Sequence, residues 1–169
     1  TIAVKPIQEN FIDSVGFTNK YLPSDAAFSL QKVAKYANGG QESIDANFTL
    51  HYECSGKTGT ASGDVVVAGN GSAVSVTKGI KAGMTCTISE PKPTKVDGAN
   101  FKSVEFSQIG IPADKVESNT ADGLKFKVPA NKAAVVVTAT NVYEHKMGSF
   151  TLTKKVKADG ANPLKDTAF

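Results

Sequence analysis

Phe28-Ser29-Leu30-Gln31-Lys32 alternates apolar and polar residues with the period of two that a half-buried strand requires. The pattern recurs as Phe150-Thr151-Leu152-Thr153-Lys154, 122 positions later. In both copies the lysine shares the parity of the Phe and the Leu, so Lys32 is expected to face a core. Lysine is almost never fully buried unless something pairs with it or removes its charge. A core-facing lysine therefore asks for a chemical partner.

The same offset of 122 relates Thr18-Asn19-Lys20-Tyr21 to Thr140-Asn141-Val142-Tyr143, and Ile2-Ala3-Val4-Lys5 to Leu124-Lys125-Phe126-Lys127. Coincident offsets at one period predict tandem domains. On this reading residues 1–22 are the last strands of a preceding repeat, 23–27 a linker and 28–143 one complete repeat. A second linker, 144–149, leads to the first strand of a following repeat, 150–169. Linkers this short allow little relative motion, which implies a semi-rigid string of beads. Thr1 falls inside what reads as a strand, so the chain is expected to be a fragment whose export and anchoring signals lie outside it.

An apolar fraction of 40% over 169 residues is enough for a globular core. The net charge of +3 comes from 19 basic and 16 acidic residues scattered in mixed sign, with no basic run to track a phosphate backbone, so a nucleic-acid partner has no support. No apolar run is long enough to span a bilayer, and no membrane contact is expected within these residues. Two cysteines, Cys54 and Cys86, are too few for a thiolate metal site, and His51 and His145 sit in unrelated places. No metal or other cofactor is implied. The cysteines fall on inward strand positions, where a disulfide is the simpler reading and two free buried thiols the alternative. A disulfide places folding in an oxidising compartment.

Within residues 28–143 nearly every segment reads as strand. Phe48, Leu50, Tyr52 and Cys54 share one parity. Asp64 to Ala68 and Ala73 to Thr77 flank Gly69-Asn70-Gly71-Ser72, which reads as a hairpin turn. Cys86, Ile88 and Glu90 follow at spacing two, then Val104 with Phe106, then Leu124, Phe126 and Val128. The last strand carries Ala133, Val135, Val137, Ala139, Asn141 and Tyr143. Pro112 to Asp122 reads as irregular or briefly helical. Seven or so short strands with turn signals between them predict an all-β fold, an antiparallel immunoglobulin-like β-sandwich.

Three polar residues stand on core-facing positions: Lys32 on the first strand, Glu90 in the middle and Asn141 on the last. Each alone has an ordinary explanation. Lys32 snorkels at a strand end, Glu90 is exposed where Pro91 stops its strand, or Asn141 caps a turn. Together they are a set of reactants. An amine made neutral by desolvation attacks a carboxamide, ammonia leaves, and a nearby acid polarises the carbonyl and carries protons. Proximity within one fold supplies what an external enzyme would otherwise provide.

Phe28 to Lys32, Cys86-Thr87-Ile88-Ser89-Glu90 and Thr138-Ala139-Thr140-Asn141-Val142-Tyr143 resemble the start, the glutamate box and the end of the B-type repeat domains of Gram-positive collagen adhesins and pilins. The resemblance is to the variant of actinobacterial surface proteins that adds a cysteine pair. It implies an isopeptide bond between Lys32 and Asn141, formed with the help of Glu90, beside a Cys54–Cys86 disulfide. Asn19 and Lys154 then hold the equivalent positions in the neighbouring repeats. The sequence departs from the family in placing Pro91 where Thr is more usual. The function implied is a structural stalk repeat of a secreted, cell-wall-attached surface protein, whose partners are the adjacent repeats of the same polypeptide.

An immunoglobulin-like adhesin module that binds a host matrix protein or glycan through its loops is the alternative, with Ser107 to Asp122 as the candidate loop. Against it, the chain has no Trp, a residue that binding hot spots favour. An enzyme is not expected. There is no Gly-x-Ser-x-Gly, P-loop or His-Glu-x-x-His motif, and a self-reaction at Lys32 turns over once.

Overall fold

The computed structural model describes residues 16, 18–38, 43–130 and 134–154. Among the described residues nine strands run in chain order: β1 Phe28–Tyr36, β2 Asn47–Gly56, β3 Gly59–Ala68, β4 Asn70–Val76, β5 Thr85–Ser89, β6 Ala99–Ile109, β7 Val116–Thr120, β8 Gly123–Lys127 and β9 Val136–His145. One 3-10 turn, Ala113–Lys115, precedes β7. The strands form a four-stranded sheet in the order β4-β1-β9-β6 and a five-stranded sheet in the order β3-β2-β5-β8-β7. Phe28, Leu30 and Val137 from the first sheet and Phe48, Leu50, Ile88, Leu124 and Phe126 from the second are buried in one core. The expected all-β sandwich is the observed fold.

Two details depart from the strand-by-strand expectation. Asp64 to Ala68 and Ala73 to Thr77 do not pair as a hairpin, because β3 joins β2 while β4 crosses to the other sheet and joins β1. The crossing is made at Gly69, whose N–H donates to Ala46 O and whose carbonyl accepts from Ala34 N–H. A Cβ there would sit 2.4 Å from the Ile44 carbonyl oxygen, so the glycine is demanded by close backbone approach and not by a hairpin turn. The stretch 112–122 is likewise more regular than expected. After the 3-10 turn it forms β7, an edge strand whose Asn119 side chain donates to the Phe106 carbonyl of β6 at 2.9 Å and ties the two sheets at that corner.

Every ladder is antiparallel except β1 with β9, which run parallel with Lys32 opposite Ala139 and Ala34 opposite Asn141. The entry to β1 and the exit from β9 therefore lie at opposite poles of one strand pair. Both are pinned by backbone hydrogen bonds: Ala26 N–H to Ile80 O and Ala82 N–H to Ser24 O at the entry, Lys146 N–H to Gly98 O at the exit. β9 runs to His145, whose ring stacks on Tyr36 at 3.8 Å, so the strand extends two residues past the expected boundary at 143.

Beyond the sandwich, Phe150 and Leu152 are exposed and residues 150–154 form no strand. The strands expected over residues 1–15 and 155–169 lie outside the described residues. No described helix is long and apolar enough to cross a membrane.

Candidate functional site

β1 buries Phe28, Leu30, Lys32 and Ala34 on one face, as its alternation requires. β9 buries Val137, Ala139, Asn141 and Tyr143 on the same side of the same sheet. Lys32 and Asn141 are thus set diagonally on adjacent parallel strands, and both are 0% exposed. Glu90 reaches them from the opposite sheet, just past the end of β5. The three residues that the sequence singled out are brought together in the core.

Their contacts close a ring. Lys32 Nζ donates to Asn141 Oδ1 at 2.7 Å and to Glu90 Oε2 at 2.7 Å, while Asn141 Nδ2 donates to Glu90 Oε1 at 3.1 Å. No part of the Lys32 or Glu90 side chain reaches solvent. The Phe48 ring lies 5.0 Å from Nζ and lids the cation side. Burial lowers the Lys32 pKa, and this outweighs the hydrogen bond and the charge of Glu90, both of which raise it. Pro91 does not divert the carboxylate from its two partners.

This arrangement brings the reactants of an acyl transfer together. A carbonyl bond is about 1.2 Å long, so Nζ lies within about 3.9 Å of the Asn141 carbonyl carbon, close to attack range. One carboxylate oxygen of Glu90 faces the nucleophile and the other faces the leaving nitrogen. A proton taken from Nζ at Oε2 can be matched by one delivered to Nδ2 from Oε1, with the carboxyl unchanged at the end.

Cys54 and Cys86 are directly opposite on β2 and β5, and they are joined as a disulfide with Cα atoms 4.0 Å apart. Asn19 and Lys154 sit on exposed backbone outside any strand, and the site does not include them. His51 faces outward on β2, where its Nδ1 lies 2.6 Å from Asp64 Oδ1 across the β2–β3 ladder. Among the described residues no cluster of three His, Cys, Asp or Glu is placed to hold a metal.

Two neighbours of the triad escaped sequence reasoning. Tyr143 read as an inward residue closing the last-strand motif, with no contact assigned to its hydroxyl, which donates to the Thr94 carbonyl at 2.8 Å. The Thr94 hydroxyl in turn donates to Asn47 O at 3.0 Å. Nothing in the sequence marks Thr94 apart from its place in a proline-rich stretch.

A family model described as a domain of unknown function (DUF5979) matches residues 28–144. The chain belongs to that family. The matched residues coincide with the nine-stranded sandwich of this DUF5979 domain, to within one residue at its C-terminal end. Solved structures similar to it include a bacterial adhesin from Mobiluncus mulieris containing intramolecular disulfide, isopeptide and ester bond cross-links. In one crystal form the adhesin is 23% identical with a TM-score of 0.47, covering 73% of this chain and 42% of that one. A second crystal form is 20% identical with a TM-score of 0.43, covering 70% and 42%. The major pilin of Streptococcus pyogenes is 15% identical with a TM-score of 0.32, covering 70% and 48%. The chain spans less than half the length of each. No curated protein matches it.

Proposed function

We propose that this DUF5979 domain is a load-bearing structural repeat of a secreted bacterial surface protein, an adhesin or pilin stalk attached to a Gram-positive cell wall. An isopeptide bond between Lys32 and Asn141, formed by the domain itself, locks it. The observation that carries the reading is the closed ring of Lys32, Glu90 and Asn141 inside an apolar core. A buried ion pair seldom improves stability over well-packed apolar residues, so a lysine, an acid and a carboxamide kept there need another reason. Cross-linking supplies one, since it converts a costly buried amine into an uncharged amide.

The bond would join the first and last strands of the sandwich. With entry and exit at opposite poles of the parallel pair β1 and β9, tension between the termini loads that pair in shear. A covalent tie between those two strands carries the tension directly. The Cys54–Cys86 disulfide closes a second loop in the other sheet, and the two links together favour resistance to unfolding and proteolysis over catalysis of any external reaction. Tandem copies on either side, with Asn19 and Lys154 as their cross-linking residues, complete the reading as a string of such beads.

Proteolytic mapping of the denatured, reduced protein tests it. One branched peptide joining the Lys32 and Asn141 fragments through an amide is expected, from a domain that resists protease far longer than its Lys32→Ala variant. Two separate linear peptides from the wild type would remove the basis of the proposal.

A further inference from the structure

Glu90 lies just past Ser89, the last residue of β5, and outside the register of both β5 ladders. The strand itself therefore does not aim the carboxylate. From there the chain runs Glu90-Pro91-Lys92-Pro93, which bends at Pro91 and Lys92 and in which each proline fixes its own φ, making an arm of restricted backbone. The far end of that arm is held twice. The Tyr143 hydroxyl donates to Thr94 O at 2.8 Å, and the Thr94 hydroxyl donates to the carbonyl of Asn47, the first residue of β2, at 3.0 Å.

Tyr143 is 1% exposed and stands one inward position beyond Asn141 on β9. Its ring is packed against Phe101 at 5.7 Å and Phe48 at 6.5 Å. Burial raises the pKa of its hydroxyl, against an interaction with the Asn141 side chain that lowers it, so the hydroxyl stays a proton donor at physiological pH and also stands beside the reacting carboxamide. The strand that carries the reacting carboxamide thus also carries the group that fixes the acid, so docking β9 brings both into place at once.

We propose that Tyr143 and Thr94 are positioning residues for the cross-linking reaction, clamping the Pro91–Pro93 arm so that the Glu90 carboxylate meets Lys32 and Asn141 together. This rests on the isopeptide reading above. In the reaction the Nζ–Cγ bond forms, the Cγ–Nδ2 bond breaks, one proton passes from Nζ to Nδ2 through Glu90, and ammonia leaves. Tyr143 and Thr94 contribute no atom or proton. They determine how often the carboxyl is in register with both nitrogens.

The test is the rate of cross-linking in the full chain, made by cell-free synthesis under oxidising conditions. Samples are denatured at intervals and the fraction lacking one ammonia is read by intact mass. Tyr143→Phe keeps the ring and removes the donor, and it slows cross-linking by about ten- to a hundredfold, the usual effect of a misplacement of about an ångström. Thr94→Val keeps the carbonyl and slows it less. Val67→Ala, in the far sheet at β3, is the stability control and leaves the rate unchanged despite a lowered unfolding midpoint. A wild-type rate in Tyr143→Phe would overturn the clamp and leave the cross-link standing. So would an equal slowing in Val67→Ala. Because the Tyr143 hydroxyl also meets Asn141, a wild-type rate in Thr94→Val overturns the clamp whether Tyr143→Phe is slowed or does not fold. A wild type that never loses ammonia overturns both readings.

Discussion

At the scale of single residues, two substitutions expected to abolish the proposed cross-link probe different parts of the site. Glu90→Gln leaves a buried amine without its counter-charge, and breaking one side of a buried pair costs about 3–5 kcal/mol. Asn141→Ala keeps the Lys32–Glu90 pair and loses hydrogen bonds to charged groups, worth about 1.5–3 kcal/mol each at most. Both are expected to retain the ammonia, and both to unfold at lower denaturant than a cross-linked wild type, the costs of the two losses being of similar size. A second expectation concerns pH. Burial holds the Lys32 pKa below the ordinary lysine value of 10.5, so in unlinked Asn141→Ala the folded state binds fewer protons than the unfolded chain over the alkaline interval ending near 10.5. Stability contributed by this group therefore rises with pH across that interval. If the wild type is linked as proposed, Lys32 is an amide and the rise is expected to be absent. Unfolding curves for the two proteins through the alkaline range distinguish these cases.

At the scale of strands, the disulfide joins β2 to β5 at a sequence separation of 32. Closing such a loop contributes roughly 3–4 kcal/mol through the unfolded chain. Thermal unfolding with and without reductant is expected to show a lower midpoint for the reduced wild type, which on the proposed reading stays folded through a Lys32–Asn141 link. The strands also show what the sequence could and could not reveal. Alternation placed Phe28, Leu30 and Lys32 inward on β1, and Asn141 inward on β9, because a half-buried strand sorts its residues by parity alone. Which strand lies beside which is not a local property. The Asn70-Gly71 signal looks the same whether the chain turns back or crosses to the other sheet, so β3 and β4 read as a hairpin when they belong to different layers. β7 stayed hidden because Val116 to Thr120 is an edge strand with little inward burial and therefore little alternation. The Tyr143–Thr94 contact was invisible for the same reason as the pairing, since a carbonyl acceptor carries no sequence signature.

At the scale of the whole domain, the poles matter. In the proposed role force would enter at β1 and leave at β9, and a bond between Lys32 and Asn141 would shield the 109 positions that separate them. An extended chain spans about 3.3 Å per residue, so the bond hides roughly 360 Å of contour length. Single-molecule pulling between the termini is expected to show no such lengthening in the wild type. The Lys32→Ala variant should release it under reductant, because the disulfide otherwise shields part of the same segment. An equal extension in both proteins would mean that no covalent tie spans the strands.

The mass of the denatured chain bears on all of this most directly. Intact-mass measurement under reducing, denaturing conditions is predicted to find the wild type lighter than its encoded sequence by one molecule of ammonia, with Lys32→Ala, Glu90→Gln and Asn141→Ala at their encoded masses. A wild type at its full encoded mass would contradict the central claim.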